Sequence, residues 1–214
     1  VGGKAWNLLR LGERGFPVPR FWVVPRGLFD GVVRDCRGTI ERALGGDALG
    51  DPRSAAVAAE IIREAIFACP VPPALVSELM EALPEGRLFA VRSSAVGEDS
   101  RQHSFAGMLD SVLNVPRCEV ADALKRVWAS AFSARALVYR QRKGLSLEET
   151  AAAVIVQEMV QAVCAGVLFT RDPADGARRL VISAGLGLGQ GVVEGAVETD
   201  TYRIGWDDGL WSSE

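Results

Sequence analysis

The chain has 214 residues, 49% apolar and 24% charged, with a formal net charge of −3. That length holds one large domain or two small lobes with enough apolar material for a core. The slightly acidic balance argues against a nucleic-acid binder, and no run is long enough to span a membrane. Cys36, Cys69, Cys118 and Cys164 form no C-x-x-C pair and accompany a single histidine, His103. Neither a metal site nor a disulfide framework is therefore expected, and idle thiols in a reducing cytoplasm are. No signal peptide is visible, and the start at Val1 reads as a piece of a longer chain.

In chain order, Val1-Gly2-Gly3-Lys4 precedes a helical pattern of Trp6, Leu8, Leu9 and Leu11 that runs to Gly12 and Gly15. Glycines before a helix with a lysine on its first turn suit an anion, because free N–H groups and a point charge converge there. The G-x-x-x-x-G-K-[ST] spacing of a Walker loop is absent, and the same residues suit a flexible end with a solvated lysine. Gly15–Pro19 turns into a strand at Phe21–Val24, and a helix is expected over Gly27–Cys36. Gly38–Asp51, rich in Gly, Asp and Ala, reads as a mobile connection. Ala55, Ala58, Ile61, Ile62, Ala65 and Ile66 predict a helix over Arg53–Ala68. Pro70, Pro72 and Pro73 end it, and Pro73 opens another through about Leu83.

Leu88–Val115 organises the rest. Leu88–Val91 is a short buried strand with Arg92-Ser93-Ser94-Ala95 at its end and the acidic pair Glu98-Asp99 after it. Ser104–Gly107 turns into an alternating strand, Leu109–Val115. A guanidinium, two hydroxyls and an unhindered small-residue backbone at a strand end suit a polyphosphate. They equally suit a surface hairpin with an exposed arginine. Cys118–Phe132 and Ser133–Lys143 read as helices whose stripe of Trp128, Ala131, Phe132, Ala136 and Tyr139 is core. Val154–Ala184 reads as an antiparallel meander, broken sharply at Arg171-Asp172-Pro173. Gly185–Gly191 is glycine-rich but lacks the strand–helix fingerprint of a dinucleotide site.

VRSSAVGEDSRQHSFAG, with VGGKAWNL, G-F-P-V-P, the WASAFSARALVYR helix, VQEMV and GVLFTRDP, resembles the nucleotide-binding domain shared by phosphoenolpyruvate synthase, pyruvate phosphate dikinase and rifampin phosphotransferase. The resemblance covers nearly the whole chain. It implies an α+β, ATP-grasp-like fold of two lobes with mixed or antiparallel sheets and flanking helices. Residues 1–150 would form the N-terminal lobe, and residues 151–214 would begin the second. It further implies that Lys4 and Arg92 act on the ATP phosphates and that Gly107 lets a lid backbone approach them. Ser111 and Gln157 would be nucleotide contacts, and Glu158 and Val160 would supply hinge backbone for adenine.

The chain also departs from the family pattern. Ala5-Trp6 replaces the usual Gly-Ala, Ser111 stands for threonine, Gln190 for glutamate, and Thr199-Asp200 for Pro-Asp. The magnesium ligands are expected beyond Glu214, so no metal ligand is assigned here, and His103 is taken as structural. The implied whole is a cytoplasmic enzyme that phosphorylates a mobile histidine from MgATP for transfer to pyruvate, through a swivelling phosphohistidine domain and a pyruvate-binding domain. The alternatives are an antibiotic kinase of the rifampin type and a non-catalytic nucleotide-binding or regulatory module. The piece by itself is expected to bind ATP weakly at best and to transfer nothing.

Overall fold

The structure is a computed structural model that describes residues 2–45, 49, 51–95, 109–144, 152–207 and 210–213. Glu98, Asp99, His103 and Gly107 lie outside the described residues. The chain divides into two compact units, 1–159 and 160–214.

The first unit contains helices α1 (Gly3–Glu13), α2 (Arg26–Asp35), α3 (Arg37–Ala43), α4 (Pro52–Ala68), α5 (Pro73–Ala82), α6 (Val120–Ser130) and α7 (Ala134–Lys143). Strands β1 (Phe21–Val24), β2 (Leu88–Ala95), β3 (Ser111–Pro116) and β4 (Ala152–Glu158) form an antiparallel sheet in the order β1-β4-β2-β3. The helices follow local rules. Asp51 caps α4 by accepting from the N–H groups of Arg53 and Ser54, Pro52 opens the first turn, and Ala55, Ala58, Ile62 and Ile66 are buried along one stripe. Ser133 caps α7, and Gly144 ends it in the left-handed conformation at φ 65°.

One face of the sheet is dry. Val24, Phe89, Val91, Val154 and Val156 join Phe29, Trp128 and Phe132 in a single core, with Phe29 stacked on Phe132. Of the aromatic stripe expected on the two central helices, Trp128, Ala131, Phe132 and Ala136 are buried, whereas Tyr139 is only half-buried and lies outside the core. A bulge between Phe89 and Val91 keeps β3 in step with β2, and Asn114 on β3 has φ 56°.

Three sequence expectations change. Gly38–Asp51 is not wholly a connection, because α3 occupies Arg37–Ala43 and buries Ile40 completely. Its anchor in the core outweighs a composition typical of loops. Second, β2 runs through the whole of Arg92–Ala95 because β4 pairs with it to Ala152. Third, Val154–Ala184 is not one meander: β4 inserts between β1 and β2, a long-range pairing that local pattern does not encode. The two compact units meet at Met159/Val160.

The second unit is a meander of β5 (Cys164–Phe169), β6 (Arg179–Leu186), β7 (Asp200–Asp207) and β8 (Leu210–Ser213), in that order, with the short helix α8 (Gly189–Val193) between β6 and β7. The turn after β5 is tied by Asp172, which is 4% exposed. It accepts from the Ala174 N–H at 2.9 Å and from Arg179 Nε at 2.7 Å. Those contacts, the backbone N–H foremost, hold the Asp172 carboxyl below its ordinary value. The architecture is α+β with antiparallel sheets and flanking helices, as the sequence implied.

Candidate functional site

Strand alternation decides what β2 presents. Residues two apart share a face, so Arg92 and Ser94 point one way and Phe89, Val91 and Ser93 the other. Arg92 lies opposite Ser111 on β3 and Ile155 on β4, and Ala90 lies opposite Gln157. Arg92, Ser111 and Gln157 therefore share the face that the core does not use. Arg92 Nη1 donates to Gln157 Oε1 at 3.4 Å, and Gln157 Nε2 donates to the Pro19 carbonyl at 3.4 Å. Gln157 is 7% exposed. A buried amide pinned at both ends fixes the half-buried guanidinium beside it.

The N-terminus of α1 comes to the same strand. The Ala5 N–H donates to Ser94 Oγ at 3.2 Å, a contact between residues 89 apart in sequence. Gly2 is the N-cap residue, in extended conformation with no side chain to cap the helix. A Cβ on Gly2 would sit 1.9 Å from the Ser94 carbonyl oxygen, so only glycine permits this approach. The half-buried Lys4 rides on the turn anchored in this way. The VGGK segment and the RSSA segment are thus parts of one locality.

The two serines of that segment part company. Ser94 holds α1, whereas Ser93 is fully buried on the core face with no partner for its hydroxyl among the described residues. The expectation that both hydroxyls face a phosphate is corrected for Ser93, because a strand cannot turn two successive side chains the same way. Ser94 as the tie to α1 was missed; its signal would have been the strand period carried through the motif.

The remaining expected residues are spread out. Glu158 ends β4 on the core face, and its carboxylate pairs with Arg20, Nη2 to Oε1 at 2.6 Å. Its N–H donates to the Arg20 carbonyl at 2.9 Å, and the Met159 N–H donates to Leu88 O at 2.8 Å. Val160 opens the second unit and is 57% exposed. In that unit Gln190 Nε2 donates to Glu194 Oε1 at 2.8 Å along α8. Among the described residues no group of three His, Cys, Asp or Glu could hold a metal ion. The described residues therefore supply no magnesium site, and no step is derived through one. No helix among the described residues is long and apolar enough to cross a membrane.

Residues 1–211 match the family model described as the pyruvate phosphate dikinase AMP/ATP-binding domain. The chain belongs to this family. The resemblance carried by the VRSSAV and VGGK segments is thereby borne out. A probable phosphoenolpyruvate synthase of Methanothermobacter thermautotrophicus is 37% identical over 95% of this chain and 31% of its own length. A rifampicin phosphotransferase of a Streptomyces species is 35% identical over 95% of this chain and 24% of its own length. A prodigiosin synthesizing transferase of Serratia marcescens is 37% identical over 95% of this chain and 22% of its own length. The chain therefore spans less than a third of these relatives. The family places the anchored Gly-Gly-Lys turn and the Arg92 face inside a domain whose description names AMP and ATP.

Proposed function

We propose that this chain is the ATP-binding portion of a phosphoenolpyruvate synthase-like dikinase, with an ATP-grasp-like fold, in which a mobile histidine is phosphorylated from MgATP and passes the phosphoryl group to pyruvate. The reading is carried by one observation: Arg92, Ser111 and Gln157 share a sheet face to which Ser94 ties the N-terminus of α1. Arg92 has five N–H donors, of which one contact, to Gln157, is found among the described residues. Its remaining donors and the charge of Lys4 would neutralise triphosphate oxygens, while the α1 N-terminus adds its dipole. Phosphoryl transfer depends mainly on such positioning and charge stabilisation.

The hinge reading takes a particular form. The N–H groups of Glu158 and Met159 already serve the sheet. As the resemblance implies, Glu158 and Val160 would offer backbone to adenine and Ser111 a hydroxyl contact. Magnesium, the phosphohistidine domain, the pyruvate-binding domain and a cytoplasmic location belong to the same proposal, with their ligands and surfaces outside this chain. A rifampin-type acceptor is the second reading, favoured by the 35% identity to a rifampicin phosphotransferase.

Calorimetric titration of the chain with MgATP, beside Arg92→Ala and Lys4→Ala, tests the site. A charge-assisted hydrogen bond contributes about 1.5–3 kcal/mol, so Arg92→Ala should weaken binding by roughly tenfold to a hundredfold. Equal affinity in wild type and a folded Arg92→Ala chain would remove Arg92 from the site.

A further inference from the structure

Two of the four cysteines are neighbours that the sequence does not announce. Cys36 sits at the junction of α2 and α3, and Cys69 follows the last residue of α4. Their sulfurs lie 3.3 Å apart. Cys36 is 5% exposed and within the core, and its Sγ donates to the Val32 carbonyl at 2.8 Å. Cys69 is half-buried, which makes it the more accessible residue of the pair. Burial first, and then the adjacent Cys69, push the Cys36 thiol up to about 12. A disulfide needs an S–S distance of about 2.05 Å, so the pair at 3.3 Å has about 1.3 Å left to close.

We propose that Cys36 and Cys69 form a thiol-oxidation site that exchanges with low-molecular-weight disulfides and closes into an internal disulfide. In the first step the Cys69 thiolate attacks a small disulfide, RSSR. An S–S bond forms to Cys69, the original S–S bond breaks, and one RS⁻ leaves and is protonated. In the second step Cys36 gives up its proton, its sulfur bonds to Cys69 Sγ, and the second RS⁻ leaves. Two protein thiols lose two electrons, and one RSSR becomes two RSH. The division of labour follows burial: Cys69 is the entry sulfur and Cys36 the resolving one. The bond would join the α2–α3 junction to the end of α4, a cross-link within the helical layer. Its formation does not depend on the nucleotide reading.

The test uses the chain carrying Cys118→Ser and Cys164→Ser, which removes the two exposed thiols. The reduced protein is incubated with glutathione disulfide, alkylated under denaturing conditions and weighed intact. The expected product has lost two hydrogens, takes up no alkylating agent at either cysteine, and regains both thiols in dithiothreitol. Adding Cys36→Ala, an apolar replacement for the buried sulfur, should leave a stable glutathione adduct on Cys69. The proposal is overturned if, with both cysteines present, Cys69 keeps the adduct while Cys36 alkylates, or if both thiols survive unoxidised.

Discussion

Gly2→Ala is the sharpest probe of the union between the two sequence motifs. The added Cβ would lie 1.9 Å from Ser94 O and 2.3 Å from Ser94 C, both backbone atoms of a central strand. Neither atom can yield, so the start of α1 must move by more than about 1 Å to reach ordinary contact distance. The cheapest relief is to peel off the first turn. That sacrifices the Ala5 N–H to Ser94 Oγ bond and the Trp6 N–H to Gly2 O bond, and exposes Ala5, which is fully buried. At about 0.5–1.5 kcal/mol per hydrogen bond, plus the lost burial, the cost is about 1–3 kcal/mol. Gly12 is the internal control, since it lies in the same helix with nothing among the described residues within 4 Å of its added Cβ. Gly12→Ala should therefore stabilise the chain by about 0.5–1 kcal/mol through helix propensity. Urea unfolding of both variants reads the sign directly. A Gly2→Ala midpoint equal to wild type, or a Gly12→Ala chain that is the weaker of the two, would refute the close approach of α1 to β2. If the nucleotide proposal is also right, Gly2→Ala should weaken MgATP binding, because Lys4 moves with the turn.

Further outcomes follow from the same geometry. Ser93→Ala removes a buried hydroxyl that has no partner among the described residues and should be neutral or stabilise by up to about 1 kcal/mol, whereas Ser94→Ala strands the Ala5 N–H and should cost about 1–3 kcal/mol. Equal effects in urea would mean that the strand parity is wrong. Arg140 is 5% exposed, and its Nε and Nη1 have no hydrogen-bond partner among the described residues. Its guanidinium lies 5.5 Å from the Phe132 ring centroid, and burial lowers its pKa to about 10. Arg140→Met should thus preserve or raise stability by about 1 kcal/mol, and a loss above about 2 kcal/mol would reveal an ionic partner in solution. Asp172 has its pKa lowered below 3.8 in the folded chain, first by the Ala174 N–H and then by Arg179. Its contribution is complete above the unfolded value and is lost as pH falls through the folded one. The stability gap between wild type and Asp172→Asn should be constant above about pH 4 and shrink below it; a gap unchanged from about pH 2 to 6 would count against the assigned contacts.

Local signals carried most of the elements. Apolar spacing and proline punctuation placed α4 and α5 almost to the residue, and the stripe through Trp128 and Phe132 identified the core helices, because these features act within a few turns of chain. Lys4 and Arg92 stood out as groups that suit phosphate, whereas Ser111 and Gln157 were singled out only by the family resemblance. Tertiary structure alone decided the rest. The insertion of β4 between β1 and β2 brings Gln157 to Pro19, 138 positions away, and to Arg92, 65 positions away. No local period encodes that pairing. The helix at Arg37–Ala43 forms where composition argued for a loop, because burying Ile40 outweighs a weak propensity. The parity of β2 sends Ser93 into the core and Ser94 to α1. The approach of Cys36 to Cys69 depends on where α4 ends, which is set by how α3 and α4 pack and not by either cysteine's neighbours in sequence. Sequence chose the chemical groups, while long-range packing chose which of them meet.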